Sequence, residues 1–322
     1  MNKYKNFLIS DDDSGIRLDR WLRRKFVGIP QSLFQKKLRK GIIRLNGEIS
    51  PAKKVVYKND IIEIRDFDNS VYNLEKKFIK LELPKKYIEI FNSSIIFNNN
   101  DFMVINKWKG IPTQGGNKIL ISVDSIIKSM SRNMNLVHRL DKETSGILII
   151  SKNYQSTRYF GELFRERKIK KIYIALCTGV PKKNNGTIKL KTKKQSKMKK
   201  NIITDSNYGK ESLTYYKVFT KKNNFSLIIF IPSTGRMHQI RVLARYLGCP
   251  IVGDKKYGKK IYEKNYMKSK ETLMLHSIGI SFNYNNKINK YIAQIPLEMN
   301  NIIKNIGIQI PKKEYFNKLL NF

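Results

Sequence analysis

The stretch VHRLDKETSGILIISK, residues 137–152, decides the fold class and starts the search for a site. Its second half, GILIISK, is a short apolar run bounded by turn residues and reads as a strand. LVHRL, residues 136–140, reads as another, which leaves a short polar loop between them. Asp141 lies in that loop, just ahead of Thr144, Ser145 and Gly146. An aspartate in such a place ordinarily caps a turn by accepting hydrogen bonds from backbone N–H groups, and Gly146 permits a backbone conformation that other residues resist. The alternative is a partly buried carboxylate that needs a cation. Arg139, Arg236 and Arg241 are the candidates, although spacing alone does not bring them together.

Working outward, SIIFNNNDFMVINK (94–107) reads as two strands about an Asn-rich turn, and GIPTQGG (110–116) as a loop. Downstream, YQSTRYFGELFRER (154–167) reads as a helix with Tyr159, Phe160, Leu163 and Phe164 near its apolar face. IKKIYIALCTG (169–179), LTYYKVFT (213–220) and FSLIIFIPS (225–233) are rich in β-branched and aromatic residues and read as strands. In RMHQIRVLARYLG (236–248), Ile240, Leu243, Ala244 and Leu247 recur at i, i+3, i+4 and i+7, the spacing of an amphipathic helix. TLMLHSIGISFNY (272–284) and KYIAQIP (290–296) supply further strands before a helix around Leu297 to Ile303. Strands that follow one another without intervening helices predict an α+β domain around a mixed, largely antiparallel sheet. The lysine run KLKTKKQSKMKK (189–200) shows no burial pattern and reads as a solvated, mobile loop, with direct phosphate contact as the alternative.

The N-terminal part is a separate unit. Between Arg17 and Lys58 there are 13 Arg plus Lys and two acids, Asp19 and Glu48. Leu18, Trp21, Leu22 and Phe26 recur at helical spacing. Ser32 can cap a second helix that runs to Leu38 and stops at Gly41. Asn46-Gly47 between apolar alternations signals a hairpin. RLDRWL, FQKKLRKG, IIRLNG and the alternation in DIIEI together resemble the S4 RNA-binding module, placed here at residues 14–75. Residues 68–92, lysine-rich with scattered apolar positions, read as a connecting segment.

Across the whole chain, 64 Lys plus Arg against 25 Asp plus Glu give a net charge of +39 over 322 residues, which points to a polyanionic partner. Apolar runs such as Leu227 to Ile231 are far short of a membrane span. The N-terminus lacks a signal-peptide pattern and carries Asp11 to Asp13, so a cytoplasmic protein is expected. Cys177 and Cys249 stand 72 positions apart without partners at metal-ligand spacing, which excludes a zinc motif or disulfide framework. Phosphate-loop, zinc-protease and nucleophile-elbow motifs are missing.

The polar clusters that remain carry a resemblance. VHRLDKETSG, KIYIALCTG (171–179) and TGRMHQIRVLARYLGCPIVGDKKYG (234–258) closely resemble, in the same order, the signatures of the RluA/RluC/RluD pseudouridine synthase family, over roughly residues 90–300, which implies a catalytic domain at 90–310. The GIPTQGG loop is similar to that of the RluC branch. The resemblance implies an enzyme that isomerises uridine in 23S ribosomal RNA without cofactor or metal, after flipping the nucleotide out of its stack.

By resemblance, Asp141 takes the place of the catalytic aspartate and Arg241 that of its salt-bridge partner, while Tyr173 matches the tyrosine that stacks on the uracil and takes the C5 proton. Arg139 matches the arginine that fills the vacated space, and Thr144 and Gly146 complete a substrate-binding set. His138 is expected to fix the loop, and His238 and Gln239 to surround Arg241. Leu243 departs from the histidine common in the family. Ribosomal RNA, with pre-ribosomal particles, is the expected partner, and the protein is expected to act as a monomer. The competing expectation is a non-catalytic RNA-binding or ribosome-assembly protein on the same scaffold.

Overall fold

The computed structural model describes residues 4–26, 29–72, 83–115, 121–131, 133–197, 200–205, 209–258 and 272–321. The chain divides into two units, residues 1–80 and 81–322. The first contains β1 (Tyr4–Leu8), β2 (Ile16–Arg17), α1 (Leu18–Lys25), α2 (Gln31–Arg39), β3 (Ile43–Leu45), β4 (Val55–Val56), β5 (Ile61–Arg65) and α3 (Asn69–Tyr72). The helical spacing read from Leu18, Trp21, Leu22 and Phe26 holds, and all four are buried around Phe34 and Ile64. Ser32 is not a cap, because Pro30 precedes the first turn of α2 and no side chain caps it. Asn46 and Gly47 do form a tight turn, both with positive φ. β3 nevertheless pairs chiefly with β5, which pairs in turn with β1. The DIIEI alternation is therefore the central strand of this small sheet, and the unit starts at least ten residues earlier than residue 14.

The second unit contains α4 (Lys85–Ser93), β6 (Ile95–Asn98), β7 (Phe102–Lys107), α5 (Val123–Met130), β8 (Asn135–Leu136), β9 (Ser145–Ser151), α6 (Tyr154–Arg165), β10 (Lys170–Thr178), β11 (Asn185–Lys197), β12 (Lys200–Asp205), β13 (Lys210–Lys222), β14 (Phe225–Pro232), α7 (Gln239–Tyr246), β15 (Leu275–Tyr284), β16 (Lys287–Ile292), α8 (Leu297–Asn305) and α9 (Lys313–Leu319). One sheet runs β12-β11-β13-β14-β10-β15-β9-β7-β6, with β16 on β15 and β8 on β9. Its described pairings are antiparallel except β15 with β9. This is the mixed, largely antiparallel sheet that the strand-rich pattern implies.

Three readings are corrected. The lysine run is not a loop: β11 and β12 form a long hairpin on the edge of the sheet. Ile188, Leu190 and Thr192 alternate with lysines, and Leu190 and Thr192 are buried, so a period of two was hidden behind the charge. Residues 198–199 lie outside the described part. Residues 68–92 are not simply a connection either. Tyr72 is buried in the first unit, stacked on Phe67, and Phe91 on α4 is buried in the second; residues 73–82 lie outside the description. Finally, VHRL is loop rather than strand, because β8 ends at Leu136.

Gly146 shows why the chain needs a glycine at the start of β9. Its φ is +111°, and a Cβ there would lie 2.2 Å from the Ser277 carbonyl oxygen. The parallel register His276↔Ser145 and Ser277↔Gly146 thus depends on a missing side chain.

Candidate active site

The loop that carries Asp141 is fixed from below by two side chains. Thr113, from the GIPTQGG loop, donates to the Leu140 carbonyl at 2.7 Å and accepts from the Leu140 N–H at 3.1 Å. Lys107, at the end of β7, is fully buried, and its Nζ donates to the carbonyls of Trp108 (3.0 Å), Ile111 (3.1 Å) and Lys142 (3.3 Å). A short turn, with the Thr144 N–H on the Asp141 carbonyl, then leads into β9. The Asp141 carboxylate stays one-quarter exposed.

From the far side, α7 follows β14 through the Ser233–His238 turn. Gln239 holds that turn, since its Oε1 accepts from Thr234 Oγ1 (2.8 Å) and the Arg236 N–H (2.9 Å) while its Nε2 donates to Thr214 Oγ1. It does not surround Arg241 as expected. His238, with φ +55°, presents Nε2 at 3.6 Å from Asp141 Oδ2 and hydrogen-bonds through Nδ1 to the Tyr257 hydroxyl at 2.8 Å. Burial lowers its pKa further than the neighbouring Asp141 raises it, so the imidazole is neutral at pH 7.

Arg241 does face Asp141, with Nη1 to Oδ2 at 3.6 Å. Its fork, however, is spent on Asp254: Nε to Oδ2 at 2.8 Å and Nη2 to Oδ1 at 2.7 Å. This bidentate geometry is the strong kind of ion pair, and the Asp254 carboxylate is wholly buried. Burial pushes the Asp254 carboxyl up, but the guanidinium and the Lys256 and Tyr257 N–H groups more than offset this and hold it below its usual value. Arg241 is thus anchored by Asp254 and offers Asp141 a charge without a close hydrogen bond. Asp141 keeps its oxygens open toward the cleft. The salt bridge expected from sequence is present, but it is the weaker of the two that Arg241 makes.

Tyr173 comes from the middle of the sheet. It sits on β10 between Phe230 of β14 and Ser277 of β15, at a register shift between Ile172 and Tyr173. Such a bulge re-aims a side chain. Burial, with the nearby Asp141 charge, pushes the phenol up to about 12 against a hydrogen bond to Ser277, so it is neutral at physiological pH. Asp141, Tyr173, Arg241, Arg139 and Thr144 all line one cleft of about 190 Å³. Gly146, expected to contact substrate, does not line it and lies at a close-packing position in the sheet. His138 is structural as expected: its Nε2 accepts from the Ile149 N–H at 2.9 Å and its ring stacks on Phe164. Leu243, the departure from the family pattern, is buried in the core of the second unit.

Sequence reasoning missed Lys107, Lys171, Asp254 and Ser277. Asp254 was in view within GDKKYG, but its partner is fixed only by the packing of α7. Lys107 ends an apolar strand and reads as its solvated tip. Burial lowers its pKa to about 7, against the raising effects of Glu143 and Asp141. Below that pH both folded and unfolded chains hold the proton, and the burial cost is complete. Between about 7 and 10.5 only the unfolded chain holds it, so Lys107 makes stability rise with pH by up to about 1.4 kcal/mol per unit. Denaturant unfolding at pH 7, 8 and 9 should show Lys107→Met with a shallower rise than the wild type. Equal slopes would mean that the amine keeps its proton in the fold.

The sequence matches the family described as RNA pseudouridylate synthase over residues 101–246. It is 36% identical over 320 residues to the ribosomal large subunit pseudouridine synthase C of Rickettsia bellii (strain RML369-C), with 94% of this chain and 96% of the relative covered. The protein of the same name from Buchnera aphidicola subsp. Baizongia pistaciae (strain Bp) is 34% identical, with 92% and 96% covered. Among solved structures, human RNA pseudouridylate synthase domain containing 4 superposes with a TM-score of 0.59 at 22% identity, over 70% of this chain and 98% of that one. That likeness concerns the fold.

Proposed function

Since the chain belongs to the RNA pseudouridylate synthase family, we propose that it isomerises uridines to pseudouridine in large-subunit (23S) ribosomal RNA, with Asp141 as the reacting carboxylate. The reaction breaks the N1–C1′ bond, turns the uracil, joins C5 to C1′, releases the C5 proton and protonates N1, so atoms and charge balance with no second substrate. One observation carries the reading: a carboxylate held by charge at 3.6 Å from Arg241, yet free of close hydrogen bonds among the described residues, at the wall of a cleft it shares with a half-buried tyrosine. Whether it adds to the nucleoside or removes a sugar proton, the carboxylate has to be ionised and open, and this arrangement supports both.

Arg241 and the neutral His238 orient Asp141, and Asp254 orients Arg241. Tyr173 supplies a ring face for the uracil. As a neutral phenol it accepts the C5 proton only by passing its own onward, and Ser277 is the neighbour beside it. Arg139 is exposed at the edge of the cleft and makes no ion pair among the described residues, so it is free to enter the stack from which the uridine leaves. Thr144 is buried in the loop and shapes the cleft wall.

Incubating the protein with transcribed large-subunit RNA and mapping pseudouridine tests the proposal. Conversion at a small set of positions is expected; binding without conversion would favour the scaffold reading. The same proposal has the enzyme act in the cytoplasm as a monomer, on free RNA or on the particle that forms around it. Among the described residues no helix is long and apolar enough to cross a membrane.

The first unit is proposed to grip the RNA as an S4-like module. In support, α1 and α2 bury Leu18, Trp21, Phe34 and Leu38 while Arg20, Arg23, Lys36 and Arg39 stay exposed. A chain that starts at residue 81 should keep a folded second unit and bind ribosomal RNA more weakly. The slope of log affinity against log salt should fall by roughly 0.7 for each phosphate that the first unit no longer neutralises. An unchanged slope would assign the basic helices another role.

A further inference from the structure

A second recess of about 430 Å³ opens beside the cleft, lined by Arg139, Arg165, Arg167, Lys171 and Arg236 with Phe164. Among the described residues no carboxylate lines it, and Arg139, Lys171, Tyr173 and Arg236 line the cleft as well, so the two adjoin. In a chain of net charge +39, cations alone decide little. How they are held says more.

α6 ends at Arg165, and the chain closes it with the Lys168 N–H on the Leu163 carbonyl (2.9 Å) and the Arg167 N–H on that of Phe164. That is a Schellman closure, whose left-handed residue is usually glycine. Here it is Arg167, with φ +60°. A side chain in that conformation costs about 1 kcal/mol, which a glycine would have avoided. The dipole of α6 accounts for positive charge near its end but not for side chains that line the recess. Arg165 and Arg167 make no ion pair among the described residues. Lys171 donates only a long 3.4 Å contact to the Thr234 carbonyl, and burial lowers its pKa to about 8. A half-buried ammonium without a close counter-charge among the described residues is stabilised by an incoming anion.

A uridine drawn into the cleft carries its own phosphodiesters to the cleft's edge. We propose that the recess is a phosphate site that takes a phosphodiester adjoining the extruded uridine, with Arg165, Arg167 and Lys171 as its ligands. This rests on the uridine-isomerising reading and adds a second anchor, outside the first unit, that sets which way the RNA strand enters.

The test uses the full chain and an RNA fragment containing a uridine that the wild type converts. Single neutral methylphosphonate linkages replace the phosphates one at a time around that uridine. In the wild type, one adjoining linkage should weaken binding about tenfold or more, as expected when a charge-assisted hydrogen bond is removed. The double variant Arg165→Gln with Arg167→Asn should bind the unmodified RNA more weakly and lose most of its sensitivity to that same linkage, Lys171 being the one ligand left. Asparagine tolerates the left-handed backbone at 167, so an unchanged melting temperature is expected. The salt slope of binding should be lower by about 1 to 2. Equal sensitivity of wild type and variant to every linkage would overturn the phosphate site. If the wild type converts no fragment that it binds, the isomerase reading fails, and a linkage scan along a bound fragment would still report whether the recess holds phosphate.

Discussion

Asp141→Asn should abolish pseudouridine formation, with a fall of about 10⁴-fold or more, the scale seen when an enzyme loses an essential reacting group. Asparagine keeps the shape of the side chain but removes the charge and half of its acceptor capacity. The rest of the molecule should hardly register the change. Among the described residues the carboxylate makes no side-chain contact closer than its 3.6 Å approaches to His238 and Arg241, and the turn it begins is closed by its backbone carbonyl. Melting temperature should therefore be unchanged, and RNA affinity should stay within about threefold, because contacts to backbone phosphates carry most of it. The decisive comparison is turnover against binding on the same transcribed RNA. Conversion within tenfold of the wild type would remove Asp141 from the chemistry. Loss of both folding and binding would make it a turn cap, the ordinary role of an aspartate before Thr-Ser-Gly.

The fold was legible where side-chain pattern and burial coincide. The buried run ILII of β9, the helical spacing of α6 and α7, and the Asn46-Gly47 turn could be read directly. β11 and β12 could not, because lysines cover an alternation that the sheet recognises through Leu190 and Thr192. α5 went unread although Ser122 and Ser125 form a reciprocal cap at its start. Likewise, the site was legible where polar residues interrupt apolar segments. Asp141, Tyr173, Arg241, Arg139 and Thr144 meet in one cleft although 102 positions separate Arg139 from Arg241. What stayed hidden is the support beneath it. Lys107 bonds only to backbone carbonyls, which leave no trace in residue identity, and Gly146 matters through the strand that lies against it. Arg241's stronger partner, Asp254, lies only 13 residues away, but no local rule separates it from an exposed loop aspartate.

That hidden support makes Asp254 the second place where one substitution should have a large effect. Asp254→Ala leaves a guanidinium, itself only 12% exposed, without its bidentate partner, and frees the Lys256 and Tyr257 N–H groups that the carboxylate accepts. Breaking one side of a buried pair costs about 3 to 5 kcal/mol, which for a unit of this size lowers the melting temperature by roughly 10 °C. Activity should fall separately. Once released, Arg241 is free to close onto Asp141, converting an open carboxylate into a tightly paired one, so turnover should drop more than RNA affinity does. Asp254→Asn divides the two effects, since it keeps the shape and one acceptor while losing the charge. The pH dependence has a definite sign: the folded carboxyl lies below its unfolded value of 3.8, so its contribution is present above about pH 4 and disappears as pH falls through the lower folded value. Acid unfolding of the wild type should accordingly be steeper than that of Asp254→Asn. A variant with wild-type melting temperature and wild-type turnover would show that Arg241 needs no anchor, and Asp141 would then have to be held open by His238 alone.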